Sequence, residues 1–408
     1  MTVRILHTSD WHLGKRLGDF SRDPEQIEFL NWLTETIINE EIDVLVVAGD
    51  IFDIKNPGPA SRAVYYRFLS QLSKTKVQHT VIVGGNHDSA SVLDAPSEIL
   101  QALHISVVGG ATDNVEDEVL TIRNRNNDPI LVVGAVPFLR DADIRSGASL
   151  TDEDSISREL VEGINRHYSQ IIDHGRNLAD QYKIPFMLTG HLFCLGSTLT
   201  ESTRNIHIGN LGAVPLEVFQ PERIEYAALG HLHRIQKVGG SDKVRYSGSP
   251  LPFSFSESNR KSVIKAELDY ENLRTTQEIE IPEFSLLETI QGDLNEVKSQ
   301  IEAISLPEKV QNFYLALELK EDLGQEALES LRQCVDQHEY HERLKLVKIQ
   351  TPDHRFKHEE QGEGFTEIDI SYESIFKQLI KSFSWESEQD QIMLRLEQAV
   401  EKTNGKGE

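Results

Sequence analysis

Val44-Leu45-Val46-Val47-Ala48-Gly49-Asp50-Ile51-Phe52-Asp53 begins as an uncharged apolar run and stops at a glycine and an acid. A run that is apolar at every position, rather than at alternate ones, reads as a strand buried on both faces. The same construction recurs along the first half of the chain. Val3 to Leu6 runs into Thr8-Ser9-Asp10, Val81 to Val83 into Gly84-Gly85-Asn86-His87-Asp88, and Phe186 to Leu188 into Gly190-His191. Between these runs lie helical spacings, Ile27, Leu30, Leu33 and Ile37 in one stretch and Ala63, Tyr66, Phe68 and Leu72 in another. Strand and helix in alternation define an α/β fold, with chemistry expected at the carboxyl ends of the strands.

Beyond Tyr226 the pattern changes to short strands with tight turns, at 235–238, 244–246, 263–268 and 276–281. An antiparallel meander joined to the first sheet is expected there. Residues 284–352 read as a small α+β unit, with strands at 286–290, 313–319 and 344–349 and helices over 294–304 and 326–335. Residues 354–366, polar and containing Gly362 and Gly364, read as a linker. After it, Ile375, Phe376, Leu379, Ile380 and Phe383 share one helical face, and Ile392, Leu396, Ala399 and Val400 another. The expected organisation is therefore a main domain over 1–281, a small domain over 282–353, the linker, and a helical partner-binding segment over 367–408.

Five polar clusters follow apolar strands: Asp10-Trp11-His12, Gly49 to Asp53, Gly85 to Asp88, Gly190-His191 and Gly230-His231-Leu232-His233. Any one is weak evidence, since a histidine after a strand is more often a hydrogen-bonded residue than a ligand. Five in this order point to one shared metal site. Imidazole, carboxylate and amide oxygen form a mixed N/O set, suited to Mn, Fe or Zn and not to thiolate chemistry. An aspartate at a strand end can bridge two divalent ions ~3.5–4 Å apart. Two such ions held by few carboxylates among neutral ligands would leave a cationic centre that attracts phosphate, and the inferred reaction is phosphoester hydrolysis by water.

These clusters resemble the calcineurin-like metallophosphoesterase signature. More closely, the chain resembles the SbcD family of nuclease subunits, through Ile5 to Gly14, Val47 to Asp53, Gly84 to Ser89, Ala228 to His233 and Arg245 to Pro250. The resemblance implies a four-layer α/β sandwich (α/β/β/α) around two sheets, followed by a small α+β capping domain and C-terminal helices. It implies that Asp10, His12, Asp50 and His233 hold one metal, and that Asp50 bridges to a second held also by Asn86, His191 and His231. His87 is then no ligand; it stands near the scissile phosphate as general acid or transition-state stabiliser, and Asp53 lies where related phosphatases place the carboxylate that orients it. Mn²⁺ is the favoured ion. Implied partners are double-stranded DNA ends and hairpins, a second copy of this subunit, and an SbcC-type ABC ATPase whose coiled coil receives the C-terminal helices, giving a heterotetramer.

Blander readings attach to the remaining candidates. Asp88 reads as a turn or cap residue, and His7 as core or as support behind the ligands. His79, His104, His167 and His174 read as surface or packing residues, and the polar loop over 195–211 that holds His207 reads equally as a border of the substrate or as plain surface. The turn Tyr246 to Pro250 reads equally as a substrate contact or as plain structure.

Composition bears on both partners and compartment. Two cysteines, Cys194 and Cys334, suit a reducing compartment, and no uncharged apolar run approaches the ~18 residues of a membrane span, so a cytoplasmic location is expected. The net charge of −25 argues at first sight against binding nucleic acid. Of it, −15 falls in residues 276–408, while 191–275 carry +1, including Arg234, Lys237, Lys243 and Arg245. A metal-dependent nuclease that grips DNA weakly alone and relies on a partner is the expected reading. The competing readings are a phosphatase or cyclic-nucleotide phosphodiesterase on the same scaffold, and a non-enzymatic DNA-end scaffold. Serine/threonine phosphatases of the family place an arginine after the second aspartate of the Gly-Asp cluster, whereas Asp53 here precedes Ile54 and Lys55.

Overall fold

The computed structural model describes residues 2–144, 153–194, 197 and 214–352. In chain order its strands are β1 (Val3–Thr8), β2 (Arg16–Leu17), β3 (Phe20–Ser21), β4 (Val44–Ala48), β5 (His79–Val83), β6 (Ile105–Val108), β7 (Val119–Arg123), β8 (Pro129–Ala135) and β9 (Phe186–His191). There follow β10 (Tyr226–Gly230), β11 (Gln236–Lys237), β12 (Val244–Tyr246), β13 (Lys261–Asp269), β14 (Asn272–Ile281), β15 (Ser285–Gly292), β16 (Asn312–Leu319) and β17 (Leu344–Gln350).

Two six-stranded sheets stack on each other, one ordered β14-β13-β1-β4-β5-β6 and the other β11-β12-β10-β9-β8-β7. The all-apolar strands are buried on both sides because each face meets a different layer. Leu6, Leu45, Val47 and Ile82 pack under Phe29, Leu33, Phe68 and Leu69 of the helices Asp23–Asn39 and Pro59–Leu72. Their neighbours Ile5, Val44, Val46 and Val81 face inward against Leu131, Val133, Met187 and Ala228 of the second sheet. The outer face of that sheet, with Val132, Phe186 and Leu188, is covered by Tyr168, Ile171 and Ile172 of the helix Glu153–Tyr182. The architecture is the expected four-layer α/β/β/α sandwich. Each fully buried Leu, Ile or Phe contributes roughly 1.5–3 kcal/mol, so the between-sheet layer is a large part of what holds the site's two halves together.

The expected meander after Tyr226 is corrected in two respects. β10 pairs parallel with both β9 and β12, and β11 and β12 lie in the second sheet. Only β13 and β14 join the first sheet, antiparallel beside β1. Short strands bounded by turns do not disclose direction, because the crossover is made by loop residues that carry no apolar period.

Met1–Gln350 form one compact unit; the other, Thr351–Glu408, lies outside the described residues except for its first two. The expected C-terminal helices therefore fall outside them. Within the first unit, β15, β16 and β17 form a parallel three-stranded sheet whose helices, Leu294–Glu302 and Gln325–Asp336, close a separate core around Val297, Ile301, Leu315, Leu317 and Leu331. A capping box between Asp293 and Glu296 starts the first of these helices. Arg22 and Glu25, both fully buried, join this sheet to the sandwich. Arg22 donates to the Pro252 carbonyl and to Ser285 Oγ (2.6 Å), and Glu25 accepts from Tyr314 Oη (2.7 Å) and Asn312 Nδ2 (3.1 Å).

Candidate metal centre

β1, β4, β5, β9 and β10 end at one rim of the sandwich, and their following loops interlock there. Asp10 N–H donates to Gly49 O (3.0 Å), His12 N–H to Asp50 O (3.0 Å) and Leu13 N–H to Ile51 O (2.9 Å), extending the β1–β4 pairing past both strand ends. Asp88 clamps the next loop to these. Its buried carboxylate accepts N–H groups from Gly85 (2.9 Å), Ile51 (3.0 Å) and Phe52 (3.0 Å), a cross-loop role broader than the turn residue expected. At Gly49 and Gly85 a Cβ would strike His191 Nδ1 and Asp50 Oδ1 respectively, so both glycines are required for the carboxylate and imidazole to reach the rim.

Four expected ligands carry backbone strain: Asp10 (φ 54°), His12 (φ 46°), Asp50 (φ 52°) and His231 (φ 104°). Non-glycine residues there cost about 1–3 kcal/mol each, and such strain persists where surrounding structure over-determines it. Here the interlocked loops do so.

The expected ligands converge in two groups, and a third set of donors, His12, Asp53 and His87, lies beside them. Donor atoms of Asp10, His12 and His233 lie within 4.8 Å of one another, as do those of Asp10, Asp50 and His191. His12 Nε2 stands 3.3 Å from His233 Nε2 and 3.5 Å from Asp50 Oδ2. The same Asp50 oxygen lies 3.3 Å from His191 Nε2, placing one carboxylate between both groups. Asn86 Oδ1 completes the second, 3.0 Å from His191 Nε2 and 3.0 Å from His231 Nδ1. All seven expected ligand residues are thus brought together, and the six acids and histidines are buried. Imidazole nitrogens 3.3 Å apart, beside carboxylates and an amide oxygen and without a thiolate, suit a hard or borderline divalent ion. The site is a divalent-metal centre.

Its charges are tightly linked. Against burial, which lowers it, the charges of Asp50 and Asp10 raise His191 to about 9. Against burial, which raises it, His191, His12 and His87 hold Asp50 well below the usual carboxylate range. Burial lowers His12, despite Asp53 and Asp50. A metal needs His191 neutral, so binding below pH about 9 must expel its proton. Calorimetric titration of the metal-free protein at neutral pH is therefore expected to show release of about one proton, seen as heat that changes with buffer ionisation enthalpy. Apparent affinity should climb with pH until about 9 and then level off; buffer-independent heat at neutral pH would contradict this assignment.

His87 is half-buried and held twice: its N–H donates to Asp50 Oδ1 (2.9 Å) and Nδ1–H to the Asp53 carbonyl (2.7 Å). That second bond corrects the expectation for Asp53. The main-chain oxygen of Asp53, not its carboxylate, orients His87. The carboxylate instead binds Lys15 Nζ (2.8 Å) and lies 3.3 Å from His12 Nδ1, which hold it down at about 2 in spite of burial.

Other residues near the rim were invisible to motif reading. Glu257, buried, stands 3.7 Å from His233 Nδ1 and binds Lys261 Nζ (2.7 Å), and Phe253 packs edge-on against His12 and His233 (ring centroids 5.1 and 5.2 Å). They sit in the serine-rich stretch after the Tyr246–Pro250 turn, where no apolar period or ligand spacing marks them. That turn makes structural bonds: Ser247 Oγ meets Ser9 Oγ (2.8 Å) behind Asp10, and Ser249 Oγ donates to Leu251 O (2.8 Å). His7 is core, bonded to Tyr226 Oη (3.0 Å) and Leu229 O (3.1 Å), and burial lowers it to about 3. Of the expected basic edge, Arg234 and Lys237 are exposed. Lys237 binds Asp242, Lys243 binds two carbonyls, and Arg245 binds Glu278.

A buried cage of aspartates, histidines and an asparagine at the shared rim of two stacked sheets defines a metallophosphoesterase, and residues 3–234 match the family model of the calcineurin-like phosphoesterases. The chain is similar to SbcD, the D component of the nuclease SbcCD, from Escherichia coli (strain K12), 35% identical over 301 residues that make up 74% of each chain. It is likewise similar to SbcD of Bacillus subtilis (strain 168), 35% identical over 68% of this chain and 69% of that one, and to SbcD of Rhodobacter capsulatus, 36% identical over 62% and 64%. The chain belongs to the SbcD family within the calcineurin-like phosphoesterases.

Proposed function

We propose that this chain is the nuclease subunit of an SbcCD-type complex, a hydrolase that cleaves phosphodiester bonds of DNA at double-strand ends and hairpins. The observation that carries the reading is Asp50, whose carboxylate stands between the two donor groups while also accepting the His87 N–H. Asp10, His12, Asp50 and His233 would hold one divalent ion, and Asp50, Asn86, His191 and His231 a second, with Mn²⁺ the ion of choice. When bound, the pair supplies an acidified water and a positive centre for the phosphate. His87, its ring fixed through Nδ1–H to Asp53 O, presents Nε2 as the group that in its protonated form donates to the leaving oxygen. Glu257 steadies His233, and Asp53 steadies His12, as carboxylates commonly do behind metal-binding imidazoles.

The test is hydrolysis by the purified chain, with Mn²⁺, of bis-p-nitrophenyl phosphate and of end-labelled duplex or hairpin DNA. Cleavage of both supports the reading. Ester hydrolysis with no DNA cleavage, even beside a cognate ATPase, would move the chain to the small-phosphoester hydrolases.

Partners follow the same reading. A homodimer through the helices Pro59–Leu72 and Ser97–Gln101 is supported by exposed apolar side chains there, Tyr66 (38% exposed), Ile99 (72%) and nearby Leu103 (40%). The segment 367–408 would dock on the coiled coil of an SbcC-type ATPase, completing a heterotetramer in the cytoplasm. Truncation after about residue 355 is expected to leave metal stoichiometry unchanged and to abolish co-elution with that ATPase. Retained association would move the docking surface elsewhere. Among the described residues no helix is long and apolar enough to cross a membrane, and both cysteines are free thiols.

A further inference from the structure

An apolar pocket opens beside the metal centre, enclosing about 560 Å³ including its mouth. His191 and His231 line it together with Phe138, Leu139, Ile164 and Tyr168. Nothing in the chemistry assigned to the metal centre uses it. Its lining is mostly apolar with a few polar groups, as in small-molecule sites, and its position limits the occupant. A nucleotide joins phosphate to base through one sugar, so a base pocket must adjoin the phosphate site directly. Two imidazoles that belong both to the centre and to the pocket wall satisfy that requirement.

We propose that this pocket is a nucleobase subsite that receives the base flanking the scissile phosphate, an inference that rests on the DNA-cleaving reading. Charge separates the two sites. No Lys or Arg occurs among the described lining residues, and the one acid, Asp141, is exposed at the rim. A phosphate is repelled there, whereas a base buries its faces against apolar walls and can offer an exocyclic N–H to the carboxylate. Phe138 is the central contact. Half-buried, it lies edge-on to His191 with ring centroids 6.3 Å apart, and its N–H donates to Gly84 O (2.8 Å), on the loop that presents Asn86 and His87. The ring is thus set by the same loop that sets the chemistry. Reaching the pocket requires the base to leave its stack, which costs least at a frayed end or in a hairpin loop.

The test is a cycle of enzyme against substrate, run on the complex with its cognate ATPase and Mn²⁺. Wild type and Phe138→Ala each cleave duplex ends that are intact or abasic at one of the two positions flanking the cleaved bond. Base–aromatic stacking sets the expected size, about tenfold to a hundredfold slower cleavage by wild type when the correct flanking base is missing. Phe138→Ala is expected to slow the intact substrate by a similar factor and to leave less than about twofold between intact and abasic. Leu139→Ala, a milder truncation of the same wall, should narrow the difference partway if Phe138→Ala fails to fold. Equal slowing of intact and abasic DNA by both variants would mean that the pocket is packing, or is filled by the chain itself, and overturns the proposal. So would an abasic site without effect at either position. Absence of all DNA cleavage by wild type, with ester hydrolysis retained, sinks the nuclease reading and this subsite with it.

Discussion

His87→Gln is expected to lower DNA cleavage by about 10²–10⁴-fold while bound metal, measured by elemental analysis of the dialysed protein, stays at the wild-type ratio. The substitution keeps the main-chain N–H that Asp50 accepts, and a glutamine amide can still donate to the Asp53 carbonyl, so the loops have no cause to move. What disappears is an ionisable nitrogen on the substrate side of the centre. The leaving group then separates its two candidate roles. Nitrophenolate departs without a proton, whereas a deoxyribose oxygen needs one. A much smaller loss on bis-p-nitrophenyl phosphate than on DNA identifies proton donation; equal losses identify transition-state stabilisation. Loss of metal from the variant would place His87 among the ligands and overturn its assignment.

Asp50→Asn should have the larger structural consequence. Asp50 lies 3.5 Å from His12 and 3.3 Å from His191, so removing its charge weakens both donor groups together. We expect metal content to fall below half of wild type and cleavage to fall by at least about 10³-fold on every substrate. The metal-free protein changes as well. His191, raised to about 9, contributes stability that is complete below its unfolded pKa of about 6.5 and is lost as pH rises through about 9. Breaking a buried pair from one side costs about 3–5 kcal/mol, so urea unfolding of the stripped proteins at neutral pH should show wild type ahead by roughly 3 kcal/mol. Near pH 10 the difference should largely close. A gap independent of pH would assign the loss to packing and not to charge.

The acidic composition takes on a different meaning beside these results. Two of the four cations expected to form a basic edge, Lys243 and Arg245, are tied to main-chain carbonyls or Glu278, and Lys237 shares its exposed site with Asp242, which leaves Arg234 exposed near the last ligands. This edge therefore adds little positive charge to the metal centre, while −15 of the −25 lies in residues 276–408. If partners supply most of the DNA affinity, as proposed above, cleavage should depend steeply on salt only in their presence.

Chemistry at the rim was legible in the chain because it is local. Every expected ligand follows an apolar strand by a few residues, and a strand apolar at each position announces that both its faces are covered. The clusters that hold Asp10, His12, Asp50, Asn86, His191, His231 and His233 thus stand out in the chain, and the family resemblance singles out those seven residues within them. Their partners do not stand out. Asp10 accepts the His231 N–H across 221 residues, and no spacing in the chain encodes such a meeting. Tertiary structure alone turned the Asp53 carboxylate toward His12 and Lys15, gave His87 to a carbonyl oxygen, and set Glu257 behind His233. It also ran β10 and β12 parallel and opened an apolar pocket against two of the imidazoles. The physical reason is the same throughout: periodicity records how much of a segment is buried, whereas direction, partner and cavity arise where two segments meet.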